Sequence, residues 1–319
     1  RKQASRAERL LDAPKLTGLL VAQAAHMAGD HQAARRYFTS ISADRETAFL
    51  GQIGLMRLAL DGGDAEAAHK AATAALTLNP KSWLAARALL KLETDRGDWQ
   101  AALPALAVMQ KRQIKAPQGS EADAIRRQQV AVYYLTARDQ TDEDKSAKVQ
   151  NLKKALNTDS GFLPAIIALA DLYVDQKAHG KAAKILEAGF KQTPHSDLLQ
   201  RLKAAWKVND GQFIARLQRL VEAVDSAQRA RAYELASDAA RIAGLDGEAS
   251  RLSHEASELL VDSGKAVIPE AWQCLSCKSL HDNWSGHCNA CGEFACLRWQ
   301  RPERVTPLIP SKAQSPLKQ

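Results

Sequence analysis

The chain is 319 residues long, with 45% hydrophobic and 25% charged residues and a net charge of +8. That balance belongs to a soluble, well-packed protein with room for one long repeat domain or two ordinary ones. Aromatic residues are only 5% of the chain, which suits helices better than strands, and no run of about 18 apolar residues offers a membrane span.

The charge is uneven. Residues 1–9, RKQASRAER, hold four basic residues against Glu8, and residues 298–319 hold five against Glu303; the 288 residues between them carry 35 basic and 34 acidic side chains. A neutral body disfavours nucleic-acid binding, including by a zinc ribbon. The chain begins at Arg1 rather than Met and shows no signal peptide, so a segment upstream is expected.

From residue 10 to about residue 262 the pattern is all-α and repetitive. Three joints read AAHMAGDHQAARRYF, LALDGGDAEAAHKAA and LETDRGDWQAALPAL. Their glycines, Gly29, Gly63 and Gly97, are 34 residues apart, and each is followed by an aspartate: Asp30, Asp64 and Asp98. Glycine ends one helix in a left-handed conformation, and the aspartate caps the next by accepting its free amides. Ala34, Ala68 and Ala102, five residues past each glycine, let the paired helices approach closely. A 34-residue helix–turn–helix period is that of the tetratricopeptide repeat (TPR), and it predicts a right-handed α-solenoid rather than a non-repeating bundle.

Farther along, a helix is expected near residues 121–137 between loops read from APQGS and DQTDEDKS. The copy closest to the TPR consensus runs from Leu163 to about Gln192 and closes at Pro194, as Pro80 closes the second repeat. The next turn is placed at Asp210 and Gly211, and a final pair centres on Gly247, about seven helix pairs in all. In the register of the glycines, Gln23, His26, Arg57, Arg87, Lys91 and Asp171 fall on the first helices that line the concave wall. They are candidates to bind a protein partner there, or equally an exposed polar face. His26, His69 and His179 read as surface residues rather than haem ligands.

Residues 270–300 are of another kind. WQCLSCKSLHDNWSGHCNACGEF holds two Cys-x-x-Cys pairs, Cys274 with Cys277 and Cys288 with Cys291. A c-type haem would need histidine after a pair, where Lys278 and Gly292 stand, and a thioredoxin-like site has one pair in a larger α/β domain. Two disulfides would need an oxidising compartment. Four thiolates from two knuckles suit a structural zinc site, with iron as the alternative, so a small rubredoxin-like or zinc-ribbon module is expected. Gly292 permits the turn after the second knuckle, and Lys278 fits the first less well. Trp272, Trp284, Phe294 and Trp299 are read as the apolar cover, Cys296 as a spare thiol, and His281 and His287 as substitute ligands. Residues 301–319 read as a disordered basic tail. No nucleophile–base pair, open metal position or phosphate-binding loop marks an enzyme.

TPR repeats followed by a two-knuckle module form a restricted combination. From VAQAAHMAGDHQAARRYF through ETAFLGQIGLMRLALDGGDAEAAHKAA the chain resembles the HemY family of bacterial haem-biosynthesis operons, and the tail WQCLSCKSLHDNWSGHCNACGEFACLRWQRPER is similar to that of its alphaproteobacterial members. The resemblance implies transmembrane helices ahead of the repeats, with the repeats on the cytoplasmic face of the inner membrane. The segment at residues 1–9 would suit a juxtamembrane position there. It also implies a non-catalytic role in late protohaem synthesis, as a scaffold for porphyrin-pathway enzymes, and leaves haem binding open. Lipopolysaccharide assembly protein B is similar in layout. Its family recruits a membrane protease to a lipid A enzyme, and its metal module packs onto the repeats.

Overall fold

A computed structural model describes residues 14–113, 120–141, 144–261, 270–302 and 308–309. The chain divides into two compact units, residues 1–125 and 126–319. The first holds α1 (Pro14–Met27), α2 (His31–Ser42), α3 (Ala48–Asp61), α4 (Ala65–Leu78), α5 (Trp83–Arg96) and α6 (Trp99–Gln113). Most of α7 (Ser120–Asp139) belongs to the second. There follow α8 (Lys145–Thr158), α9 (Leu163–Asp175), α10 (His179–Gln192), α11 (Ser196–Trp206), α12 (Asp210–Glu222), α13 (Ser226–Ile242) and α14 (Asp246–Val261). Among the described residues these make fourteen helices, the number that about seven pairs require.

The turns explain the hairpins. Gly29, Gly63 and Gly97 adopt φ of +77°, +72° and +76°. The amides of Asp30, Asp64 and Asp98 each donate, at 2.9 Å, to the carbonyl five residues back, on Ala25, Ala59 and Glu93, the closure that satisfies a helix's orphan carbonyls. Each aspartate then caps the next helix by accepting the amides of Ala33, Ala67 and Ala101 at 3.0, 3.0 and 2.9 Å. Ala34, Ala68 and Ala102 are fully buried, so the close approach read from their size is present. Phe38 on α2 packs with Ala22, Ala25 and Leu58, and Gly54 on α3 leaves the room its ring occupies.

The second unit keeps the geometry and loosens the sequence. Ala178 closes onto Tyr173 at 2.8 Å across Lys177 (φ +57°), and Leu245 onto Ala240 at 2.9 Å across Gly244 (φ +71°). Two turn assignments from the sequence are corrected here. Gly247 lies in the first turn of α14, and Gly244 is the left-handed residue. Gly211 lies in the first turn of α12; the left-handed residue is Lys207 (φ +53°) and the cap is Asn209, whose side chain accepts the Gln212 amide at 2.9 Å. Asn209 wins because Gln212 returns a bond to its amide, closing a capping box. Of the expected loops, APQGS falls outside the described residues except for Ser120, the first residue of α7. Residues 142–143 also lie outside them, and Asp144 caps α8.

The C-terminal module is a small sheet in the order β3-β1-β2-β4. Strand β1 (Ala271–Cys274) pairs antiparallel with β2 (Leu280–His281) and with β3 (Leu297–Gln300), and β4 (Leu308–Ile309) runs parallel to β2. Thus the stretch read as a disordered tail supplies a short strand. The other residues after Pro302, like residues 1–9, lie outside the described ones. The module shares one core with the helices of its unit: Trp272, Cys274, Cys288, Cys296 and Leu297 pack in the cluster of Leu163, Leu186, Leu202 and Leu217.

Candidate functional site

The two Cys-x-x-Cys segments fold into matching turns. The Cys274 carbonyl accepts from the Lys278 amide at 3.0 Å and the Cys288 carbonyl from the Gly292 amide at 2.8 Å; the Cys274 amide donates to Ser279 and the Cys288 amide to Glu293, each at 2.9 Å. Lys278 (φ +64°) takes the same left-handed conformation as Gly292 (φ +73°). The poor fit expected of lysine is thus a left-handed backbone, at a cost of about 1–2 kcal/mol. The amides of Cys277 and Ala290 point at the sulfurs of Cys274 and Cys288, both at 3.4 Å, and such amides favour thiolate over thiol.

The knuckles face one another. Cys274 Sγ is 3.7 Å from Cys291 Sγ, and Cys277 Sγ is 3.7 Å from Cys288 Sγ. Two thiolates on one tetrahedral zinc, with bonds of about 2.3 Å, sit about 3.8 Å apart, so both cross-knuckle pairs have the separation of ligands to one ion. The fifth cysteine was not foreseen here. β3 pairs with β1 so that Cys274 faces Leu297, which carries the preceding residue, Cys296, to 3.3 Å from Cys274 Sγ. Cys274, Cys288, Cys291 and Cys296 lie mutually within 4.8 Å and could hold a metal ion. Cys296 is therefore inside the thiol cluster rather than apart from it, whereas Cys277 stands exposed at its rim. All five thiols are free, with no disulfide among them.

Their neighbours divide them. Burial pushes the Cys277 thiol up, but bonds from the Ser279 side chain and backbone and from Cys274 and Cys291 outweigh it and bring it to about 6. Cys288 is also lowered: burial opposes, and Ser279 with the amides of Cys291 and Ala290 prevails. For Cys291 the Glu293 amide lowers the value, but burial and the thiols of Cys277, Cys288 and Cys274 push it up to about 12. Burial and Cys274 raise Cys296. Crowded sulfurs without a cation cannot all ionise, whereas a divalent ion would compensate that charge. Of the candidate substitute ligands, His281 is buried behind the cluster, its Nε2 2.9 Å from Ser279 Oγ and 3.4 Å from Cys288 Sγ. His287 packs against Phe294, ring centres 5.0 Å apart.

Trp272 and Phe294 are buried and Trp284 and Trp299 half-buried, so the expected cover is present. It does more than cover. Trp284 meets Tyr134 of α7 at 5.3 Å and Phe162, just before α9, at 5.1 Å, and these two meet at 5.6 Å, every pair edge-on. Trp299 packs edge-on against His195, the cap of α11, at 4.6 Å. Sequence reading missed Tyr134, Leu135, Phe162 and His195 because they lie far from the cysteines along the chain.

The groove candidates are placed as follows. In the first unit Gln23, Arg57 and Lys91 recur at 34-residue steps on α1, α3 and α5, and all are exposed. Lys91 pairs with Asp95 at 3.0 Å, and His26 meets Asp61 at 2.9 Å. Arg57 and Arg87 have no ion-pair partner among the described residues. Leu50 and Leu84, again 34 residues apart on α3 and α5, stay 41% and 44% exposed. Asp171, in the second unit, is bound through both oxygens by Arg201, at 2.9 and 3.1 Å. Among the described residues, no hydrogen bond or ion pair joins any two of the five in the first unit. His69 is held by Glu93 at 2.5 Å.

Comparison with known proteins agrees with the repeats. Residues 147–205, from α8 to α11, match the tetratricopeptide repeat family. That stretch carries TPR repeats. Among solved structures, the MamA protein is 18% identical over 69% of this chain and 98% of its own, with a TM-score of 0.29. A tetratricopeptide repeat protein from Parabacteroides merdae is 14% identical over 77% and 93%, with a TM-score of 0.30. Pseudomonas aeruginosa pilF is 14% identical over 69% and 99%, with a TM-score of 0.29. No curated protein matches the chain. No described helix is long and apolar enough to cross a membrane.

Proposed function

We propose that the protein is a non-catalytic adaptor whose first helices hold a protein partner in a concave groove, with a structural zinc ion, or iron in its place, on Cys274, Cys277, Cys288 and Cys291. The observation that carries this reading is the 34-residue recurrence of exposed side chains on α1, α3 and α5: Gln23, Arg57 and Lys91, beside the exposed pair Leu50 and Leu84. A repeated, solvent-facing row of mixed apolar and basic groups suits an extended protein segment. Four sulfurs leave an ion no position for water or substrate, so its task is to fold the module.

The resemblance to the HemY family supports a role at the cytoplasmic face of the bacterial inner membrane, anchored ahead of Arg1, beside the porphyrin-pathway enzymes of late protohaem synthesis. A second reading, an adaptor like lipopolysaccharide assembly protein B, gains support from the docking of Trp284 and Trp299 on the helices. A pull-down from membranes of the source bacterium, with the protein tagged in its native gene, separates them. Recovery of porphyrin-pathway enzymes supports the first, recovery of a membrane protease with a lipid A enzyme supports the second, and recovery of neither sinks both.

A further inference from the structure

We infer that one corner of the metal site is served by two thiols, so that Cys296 replaces Cys277 as the fourth ligand whenever Cys277 is lost. The inference rests on the metal-binding reading and adds a fifth sulfur to it. Cys274, Cys288 and Cys291 belong both to the facing knuckles and to the tight group that includes Cys296, so only the fourth member changes between the two sets.

The two contenders differ in exposure. Cys277 lies at the surface, its sulfur 3.0 Å from Ser279 Oγ. Cys296 is 4% exposed, and its backbone is fixed: its carbonyl accepts the Leu275 amide at 2.9 Å, and the next residue pairs with Cys274 across the sheet. Its sulfur is 3.2 Å from the Glu293 carbonyl, to which it donates, and 3.3 Å from Cys274 Sγ. The last distance is shorter than the edge of about 3.8 Å expected of two thiolates on one tetrahedral zinc. To share an ion the two sulfurs would have to part by about 0.5 Å, so in the resting site Cys296 waits beside Cys274 as a thiol. On exchange the metal–sulfur bond of Cys277 breaks and that of Cys296 forms. The Cys296 proton passes to the departing Cys277 sulfur, or to bulk water where Cys277 is capped or replaced, as on any binding of a metal by a thiol, and no oxidation state changes. A modification that caps the exposed Cys277 would then leave the metal in place.

The test uses the full chain loaded with cobalt(II), whose sulfur-to-metal charge-transfer absorption grows with the number of bound thiolates. Wild type, Cys277→Ala and Cys296→Ala should each hold one cobalt with equal charge-transfer intensity. The double variant should fall to about three quarters of it, three thiolates in place of four, or lose the metal. If Cys277→Ala alone shows that fall with Cys296 present, the inference is wrong while the metal reading stands. A wild type that binds no cobalt, zinc or iron removes both. Should Cys277→Ala not accumulate, chelator challenge of Cys296→Ala decides: cobalt should leave about tenfold faster than from wild type, and an unchanged rate overturns the exchange.

Discussion

Lys177, Lys207 and Lys278 all hold left-handed backbones, with φ of +57°, +53° and +64°. A side chain there costs about 1–2 kcal/mol relative to the right-handed form, while glycine would give back about 0.5–1 kcal/mol in unfolded-chain entropy. Lys177→Gly should therefore stabilise its unit by about 0.5–1 kcal/mol, seen as a higher urea midpoint at constant slope; a lower midpoint would contradict the turn geometry. A second residue-scale effect concerns His195. Its Nδ1 accepts the Asp197 amide at 3.1 Å and its ring lies on Trp299. Burial depresses its pKa, Asp197 partly restores it, and Arg231 lowers it further. Because the folded value lies below the unfolded one, the unfolded chain binds the extra proton first as pH falls. This contribution to stability is complete above about pH 6.5 and is lost progressively below it. His195→Phe should flatten the slope of stability with pH in that window, measured by urea unfolding between pH 7.5 and 5.

At the scale of elements, close approaches are set by glycine. A Cβ on Gly286 would stand 2.9 Å from Leu135 Cδ1, on a side chain only 1% exposed in α7. Gly286→Ala should press the module away from α7 and cost about 1–3 kcal/mol, with Trp284 emission shifting to the red as its contacts with Tyr134 and Phe162 open. Unchanged emission and stability would mean the contact yields freely. That docking also marks where sequence reading ends. The Gly–Asp joints and the buried alanines were legible because a turn and its cap are local, and their chemistry repeats every 34 residues. Lys177 and Lys207 were not, because backbone hydrogen bonds at the helix ends, Ala178 onto Tyr173 and Lys207 onto Lys203, accompany a conformation their residue type disfavours and does not announce. The cysteine pairs were legible from spacing alone. Cys296 was not, since its approach to Cys274 depends on the pairing of β3 with β1, and neither strand announces its partner.

At the scale of the whole molecule the two units should respond differently to metal. The C-terminal module shares a core with helices of the second unit, from α7 onward, and among the described residues the clusters around Phe38 and around Ala68 in the first unit contain none of its residues. A structural zinc site contributes on the order of 10 kcal/mol to the folding of a small module. Removing metal with a strong chelator, or replacing Cys288, which both ligand sets require, by serine, should lower the unfolding temperature of the second unit and leave that of the first in place. Calorimetry would show one transition moving against a fixed one; two transitions moving together would refute the division. The remaining prediction concerns the partner. Arg57 and Arg87 lie on consecutive first helices, exposed and without an ion pair among the described residues, whereas Lys91 is already engaged by Asp95 and Asp171 by Arg201. An acidic partner segment would thus meet its available charge at the two arginines, with Leu50 and Leu84 beside them to take apolar side chains. Reversing both, Arg57→Glu with Arg87→Glu, should weaken capture of the proposed partner about tenfold and reduce its salt dependence. Helix content should not change, since neither guanidinium supports the fold. Reversal of Lys312 and Lys318 serves as the control and should leave capture intact. Capture that survives the arginine reversal but fails with the lysine reversal would move the binding surface from the repeats to the basic tail.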